Sequence, residues 1–128
     1  MDYYFSKTIE TGFDAALEKI TQALKNEKFG VLTEIDIKAT LKKKLDVDFK
    51  KYTILGSCNP SSAHKALQAE DKIGTMLPCN VIVQEIEHEK IEVAAVNPLA
   101  SMQAVKNKAL DEIATEIAEK LKKALESL

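Results

Sequence analysis

The chain has 128 residues, 45% hydrophobic and 30% charged, with a formal net charge of −2. That length suits a single domain over residues 1–128 that folds without a metal or disulfide staple, and the composition excludes a disordered, collagen-like or low-complexity chain. All 18 basic residues are lysine and only 5% of residues are aromatic, so neither arginine-based reading of nucleic acid nor a base-stacking surface is expected, and the near-neutral balance gives no field that draws an anionic membrane.

Residues 2–9 alternate, with Tyr3, Phe5 and Ile9 on one side and Lys7 as the exception, which predicts a first strand. Thr11 and Asp14 resemble a capping box. Phe13, Leu17, Ile20 and Leu24, with Ala16 and Ala23, then share one face of a helix that runs to about Lys28, with Gly30 as its stop. Val31, Thr33, Ile35 and Ile37 alternate with polar neighbours and predict a second strand with one wet face. Leu41 and Leu45 mark a short helical stretch over 38–45. Lys42, Lys43 and Lys44 beside Asp46 and Asp48 read as a solvated turn.

Tyr52 to Cys58 predicts a third strand. Asn59 and Pro60 follow as the cap and first residue of a helix over 60–69, with Ala63, Ala66 and Leu67 inward. A turn over 71–77 leads to a fourth strand, 80–87, and a hairpin at His88 and Glu89 leads to a fifth, 90–96, ended by Asn97 and Pro98. From about Gln103, the residues Val105, Ala109, Ile113, Ile117, Leu121 and Leu125 form the stripe of a long helix.

The order strand, helix, four strands, helix predicts an α+β fold with a five-stranded, mainly antiparallel sheet and its helices on one face. The other face keeps Leu32, Leu55 and either Ile82 or Val83, and a second copy of the chain is expected to cover it, making a homodimer. The N-terminus, Met1 to Lys7, has no apolar core of a secretory signal, and no apolar run reaches the length of a membrane span. The expected location is cytoplasmic, with Cys58 and Cys79 as reduced thiols.

No glycine spacing fits a dinucleotide loop or P-loop, and the chain has no H-E-x-x-H, G-x-S-x-G or C-x-x-C. His88 reads as a solvated hairpin residue, and Glu85, Glu87, Glu89 and Glu92 as an exposed strand face. One constellation is left. Cys58-Asn59-Pro60 closes the third strand and Pro78-Cys79-Asn80 opens the fourth, so antiparallel pairing brings both cysteines to one end of the sheet. His64 lies about one turn into the helix between them, and Met76 just before Pro78.

Three readings stay open. The cysteines are small buried hydrophobes; or they hold a soft metal such as zinc or Cu(I), with His64 or Met76, or act as reactive thiols; or they form a disulfide. In an enzymatic version, Cys58 is the nucleophile of a thiol oxidoreductase or sulfur-handling protein and Cys79 resolves it. In a structural version, the chain is a dimerisation module.

The run Ile54-Leu55-Gly56-Ser57-Cys58-Asn59-Pro60, with Leu77-Pro78-Cys79-Asn80-Val81-Ile82-Val83 about twenty residues later, resembles the bacterial and archaeal domain-of-unknown-function family numbered 302. The likeness extends to the flanking helix, the hairpin and the segment before the last helix, where Asn97 stands in place of the family's common Asp. It implies a compact α+β domain similar in layout to the TATA-binding-protein-like fold and commonly homodimeric. It singles out Cys58, Asn59, Pro60, Pro78, Cys79 and Asn80 as ligand-binding candidates, and assigns no reaction. Fold alone does not imply DNA binding.

Overall fold

The computed structural model describes all 128 residues. Strands β1 (Tyr4–Glu10), β2 (Gly30–Asp36), β3 (Tyr52–Cys58), β4 (Cys79–Glu87) and β5 (Lys90–Val96) form one sheet in the order β1-β5-β4-β3-β2, and every pair is antiparallel. Helix α1 (Phe13–Asn26) links the two edge strands, and α2 (Ile37–Leu45) and α3 (Pro60–Ala69) flank β3. A 3-10 turn (Asp71–Met76) leads into β4, while α4 (Pro98–Ser101) and α5 (Lys108–Glu126) close the chain.

Cross-strand register assigns the faces. Leu55 sits opposite Val81, Val81 opposite Ala95 and Ala95 opposite Phe5; Thr53, Val83, Val93 and Lys7 form the next row. These rows face α1 and α5. Ile20 and Leu24 of α1 and Leu121 and Leu125 of α5 join Val81, Val83, Ile91 and Val93 in one buried core. The spacing of apolar residues on both helices is what presents a continuous stripe to the sheet. A smaller cluster of Ala66, Ile73, Met102, Leu110 and Ala114 joins α3 to α5.

Lys7 lies on the covered side, which explains its break in the β1 alternation. Its Nζ reaches past the core edge and donates to the backbone oxygens of Glu126 at 3.0 Å and Leu128 at 2.7 Å. The cation thus satisfies unpaired acceptors at the C-terminal end of α5 and favours its dipole.

Several sequence expectations need correction. Leu55 belongs to the covered core, not the open face, because it shares a row with Val81. A register shift between Val31 and Thr33 moves β2 from one face to the other, so Val31 packs on the core while Thr33 joins Gly56 on the open side. As an edge strand, β2 is then exposed along nearly all its length. The N-cap of α1 is Gly12, with no side-chain cap bond, so Thr11 and Asp14 make no capping box. Leu67 is 45% exposed, since α3 turns Ala66 inward instead. The last helix starts at Lys108, capped by Asn107, and α4 with a short connection occupies the residues before it. Asn107 Nδ2 also donates to Ala69 O at 2.8 Å, which ties the start of α5 to the end of α3.

Candidate functional site

Antiparallel pairing of β3 with β4 places Ser57 opposite Cys79. Ser57 is fully buried, and its Oγ donates to Cys79 O at 2.8 Å, adding a side-chain clamp to the ladder. Immediately after β3 the chain turns into α3. Asn59 caps that helix: its Oδ1 accepts from Ser62 N at 3.3 Å, and Pro60 follows in the first turn. The C-N-P sequence is therefore a strand end welded to a helix start. It holds Cys58 beside the N-terminus of α3, where unpaired N–H groups favour negative charge.

Cys58 and Cys79 line one cavity of about 30 Å³, together with Asn59 and Ser62 of the helix start and Met102 and Ile117 from the C-terminal region. Both cysteines are free thiols, Cys79 buried and Cys58 half-buried. Burial pushes the Cys79 thiol up to about 11, and the neighbouring Cys58 adds to the rise. Asn59 is only 5% exposed, and its Nδ2 is buried with no hydrogen-bond partner. Such a donor carries a desolvation cost until an acceptor arrives. A cavity this size admits an ion or a water or two. It is far below the roughly 300–1,000 Å³ of pockets that hold drug-sized ligands.

The other motif residues fall elsewhere. His64 is exposed on α3 and lies outside the cavity lining, as do Pro60, Pro78, Asn80 and Met76. No group of three or more His, Cys, Asp or Glu side chains assembles anywhere with metal-holding geometry. Asn80 faces the open side, opposite Gly56. Pro78 serves packing: a Cβ added at Gly56 would lie 2.8 Å from Pro78 Cγ and would also collide with Thr33 Oγ1, so only glycine lets β2 and the start of β4 approach β3 this closely. His88 and Glu89 are exposed at the β4–β5 hairpin, their side chains 3.9 Å apart.

The residue missed by sequence reasoning is Met102. It lies after α4, outside any periodic stripe, and shares the lining of the cysteine cavity because α4 and α5 pack back against α3. Nothing in its local sequence signals that proximity.

A family model described as domain of unknown function DUF302 matches residues 5–128. The chain belongs to the DUF302 family. A crystal structure of an uncharacterized conserved protein DUF302 from Bacillus stearothermophilus is similar at a TM-score of 0.90 and 28% sequence identity, over 98% of this chain and 98% of that one. No curated protein matches the chain. The α+β layout expected from the resemblance is the layout observed, and this DUF302 chain has no helix long and apolar enough to cross a membrane.

Proposed function

We propose that this DUF302 protein is a small binding protein that takes one soft metal ion between Cys58 and Cys79. The observation that carries this reading is the cavity itself: two free thiols and a methionine in the wall of a space too small for an organic ligand. Thiolate and thioether are soft donors, suited to Cu(I) or zinc. The ion would displace the thiol protons, so the raised Cys79 value sets a pH-dependent cost on loading that metal–sulfur bonds offset. In this reading the thiols are kept reduced, as in a cytoplasmic protein.

The test is an anaerobic preparation loaded with Cu(I) or Zn(II) and weighed by native mass spectrometry. One ion per chain is expected in the wild type, and none in Cys58→Ser or Cys79→Ser variants that keep the native circular dichroism. A wild type that stays metal-free under both loadings, or variants that load equally well, would overturn the reading.

A second reading, thiol redox chemistry, draws on the contrast between the two sulfurs. Half-buried Cys58 beside a helix start suits a nucleophile, while Cys79 is buried and held protonated. It requires selective alkylation of Cys58 at neutral pH; equal sluggishness of both thiols removes it. The same proposal includes a homodimer through the open sheet face, supported by Ile35, Ile54 and Ile82, which no helix covers. A monomer in sedimentation at micromolar concentration would remove that part.

A further inference from the structure

Resting on the homodimer reading of the open sheet face, we infer that the second copy is seated about a two-fold axis running along the strands between β3 and β4, so that the lysine-rich segment 37–51 of each chain clasps the acidic β4–β5 hairpin of the other.

The segment is locally ordered yet adds no buried residue to the core, for α2 buries none of its side chains. Beyond the helix, Asp46 takes a left-handed conformation and turns the chain back. Asp46 and Asp48 both reach Lys42, at 2.9 and 3.5 Å. Lys38 Nζ donates to Phe49 O at 3.2 Å and ties the returning stretch to the start of α2. The result is a hook carrying six lysines against two aspartates. Lys43, Lys44 and Lys50 are exposed with no acid within ion-pair reach, and Leu45, Val47 and Phe49, which alternate with the two aspartates, are exposed as well.

The opposite charge lies next to it. Glu85 N donates to Lys51 O at 3.0 Å, so the β4–β5 hairpin leaves the sheet at the same end as the hook. That hairpin sets Glu85, Glu87 and Glu89 against one lysine, Lys90, and exposes Ile86 among them. No hook lysine pairs with a hairpin glutamate inside the chain. One end of the molecule therefore presents a basic patch and an acidic patch side by side, each with exposed apolar residues and each lacking its complement. A two-fold axis between them satisfies both at once, because each patch then meets the other on the second copy.

The register places that axis. Ile54 of β3 stands opposite Ile82 of β4 on the open face. An axis along the strands midway between them lays Ile54 on the partner's Ile82 and keeps the Tyr52 ends of both sheets together. It also sets the β2–β3 side, which bears the hook, over the β4–β5 side, which bears the hairpin. Phe49, its ring 6.3 Å from that of Tyr52, carries the hook up to this face. An axis across the strands would instead set the hook against the Cys58 end of the other sheet, where no acidic hairpin lies. The aliphatic contact supplies buried area, and the charges fix which way round the copies sit.

The experiment follows sedimentation of the full chain over a range of concentrations, at low and high salt, with circular dichroism to confirm folding. It compares wild type, a hook variant (Lys43→Glu with Lys44→Glu), a hairpin variant (Glu87→Lys with Glu89→Lys), the four changes together, and Ile82→Ser. Expected is a wild-type dimer that weakens as salt rises. The hook and hairpin variants should each dimerise about 100-fold more weakly, since like charges then meet across the axis. Dimerisation should return in the fourfold variant and in an equimolar mixture of the hook and hairpin variants, and Ile82→Ser should weaken it. Hook or hairpin variants that dimerise like wild type, or a mixture that stays monomeric, overturn the clasp; a loss in Ile82→Ser alone then leaves the open-face reading standing. Wild-type dimerisation in Ile82→Ser overturns the open-face seat and the axis with it. A wild type that is monomeric throughout overturns both.

Discussion

The two faces of the sheet are built from the same strands yet follow different rules. On β4, Val81 and Val83 are fully buried beneath the helices, whereas Asn80, Ile82 and Gln84 between them look out from a face that no helix covers. The covered face is aliphatic and closed. The open face mixes aliphatic residues with polar ones: Gln84 Nε2 donates to Glu92 at 2.7 Å, and Tyr52 stands opposite Gln84 in the same row. Burial, with Tyr3 and Glu92 contributing, raises the Tyr52 phenol. The difference teaches that alternation in a strand specifies two surfaces, but only the packing of α1 and α5 decides which becomes core. The cysteine cavity sits where the covered face runs out, at the junction of β3, β4 and α3.

The comparison can be broken most forcefully from the covered side. Ile91→Ala should cost about 2–5 kcal/mol in urea unfolding, because the cavity it leaves is sealed by α1 and α5; the same change at open-face Ile82 should cost clearly less. Equal losses would mean that the faces do not differ in burial energy.

The next effect is a pH dependence. Cys79 is raised in the folded chain, from its ordinary 9.0 to about 11. The unfolded chain therefore releases this proton at lower pH than the folded one. The stability contributed by the neutral thiol is complete below about pH 9 and is lost as pH climbs to about 11, where the loss reaches about 2–3 kcal/mol. Cys79→Ala should flatten that part of the stability profile relative to wild type, with lysine titration common to both. Identical slopes would refute the buried neutral thiol.

Gly56→Ala probes the close approach of three strands. Its new methyl meets Thr33 and Pro78, and a loss of about 1–3 kcal/mol is expected from overpacking. Asn107→Ala removes both the α5 cap and the bond to Ala69 O, with a cost near 1 kcal/mol by thermal melting. The smallest effect on folding belongs to Ile35→Ser, at a residue 45% exposed on the edge strand β2. On a face without helices it should change single-chain stability by only about 0.5 kcal/mol, while shifting sedimentation toward monomer if that face joins two copies.

Much of the local structure was legible because it is written in short-range periodicity. The β3 range Tyr52–Cys58 and the α3 range Pro60–Ala69 follow directly from alternation and from the Asn59-Pro60 cap. That Cys58 and Cys79 come to line one cavity was also legible, since antiparallel neighbours must bring the end of one strand to the start of the next. The start of α5 was not, because Val105 continues the apolar stripe while Asn107, two residues on, caps the N-terminus and fixes the helix start at Lys108. Nor was the exclusion of His64, whose spacing from Pro60 does not reveal which side of α3 meets the core.

By itself, then, the amino-acid order determined the strands, the amphipathic helices, the cap at Asn59 and the closeness of two cysteine motifs, all of which depend on neighbours within a few residues or on one antiparallel register. Only the tertiary structure decided that Leu55 lies in the core, that Lys7 reaches the end of α5 and that Met102 completes the cysteine cavity. Those outcomes join segments far apart in the chain, and they depend on how helices stack on one face of the sheet, a choice that periodicity leaves open.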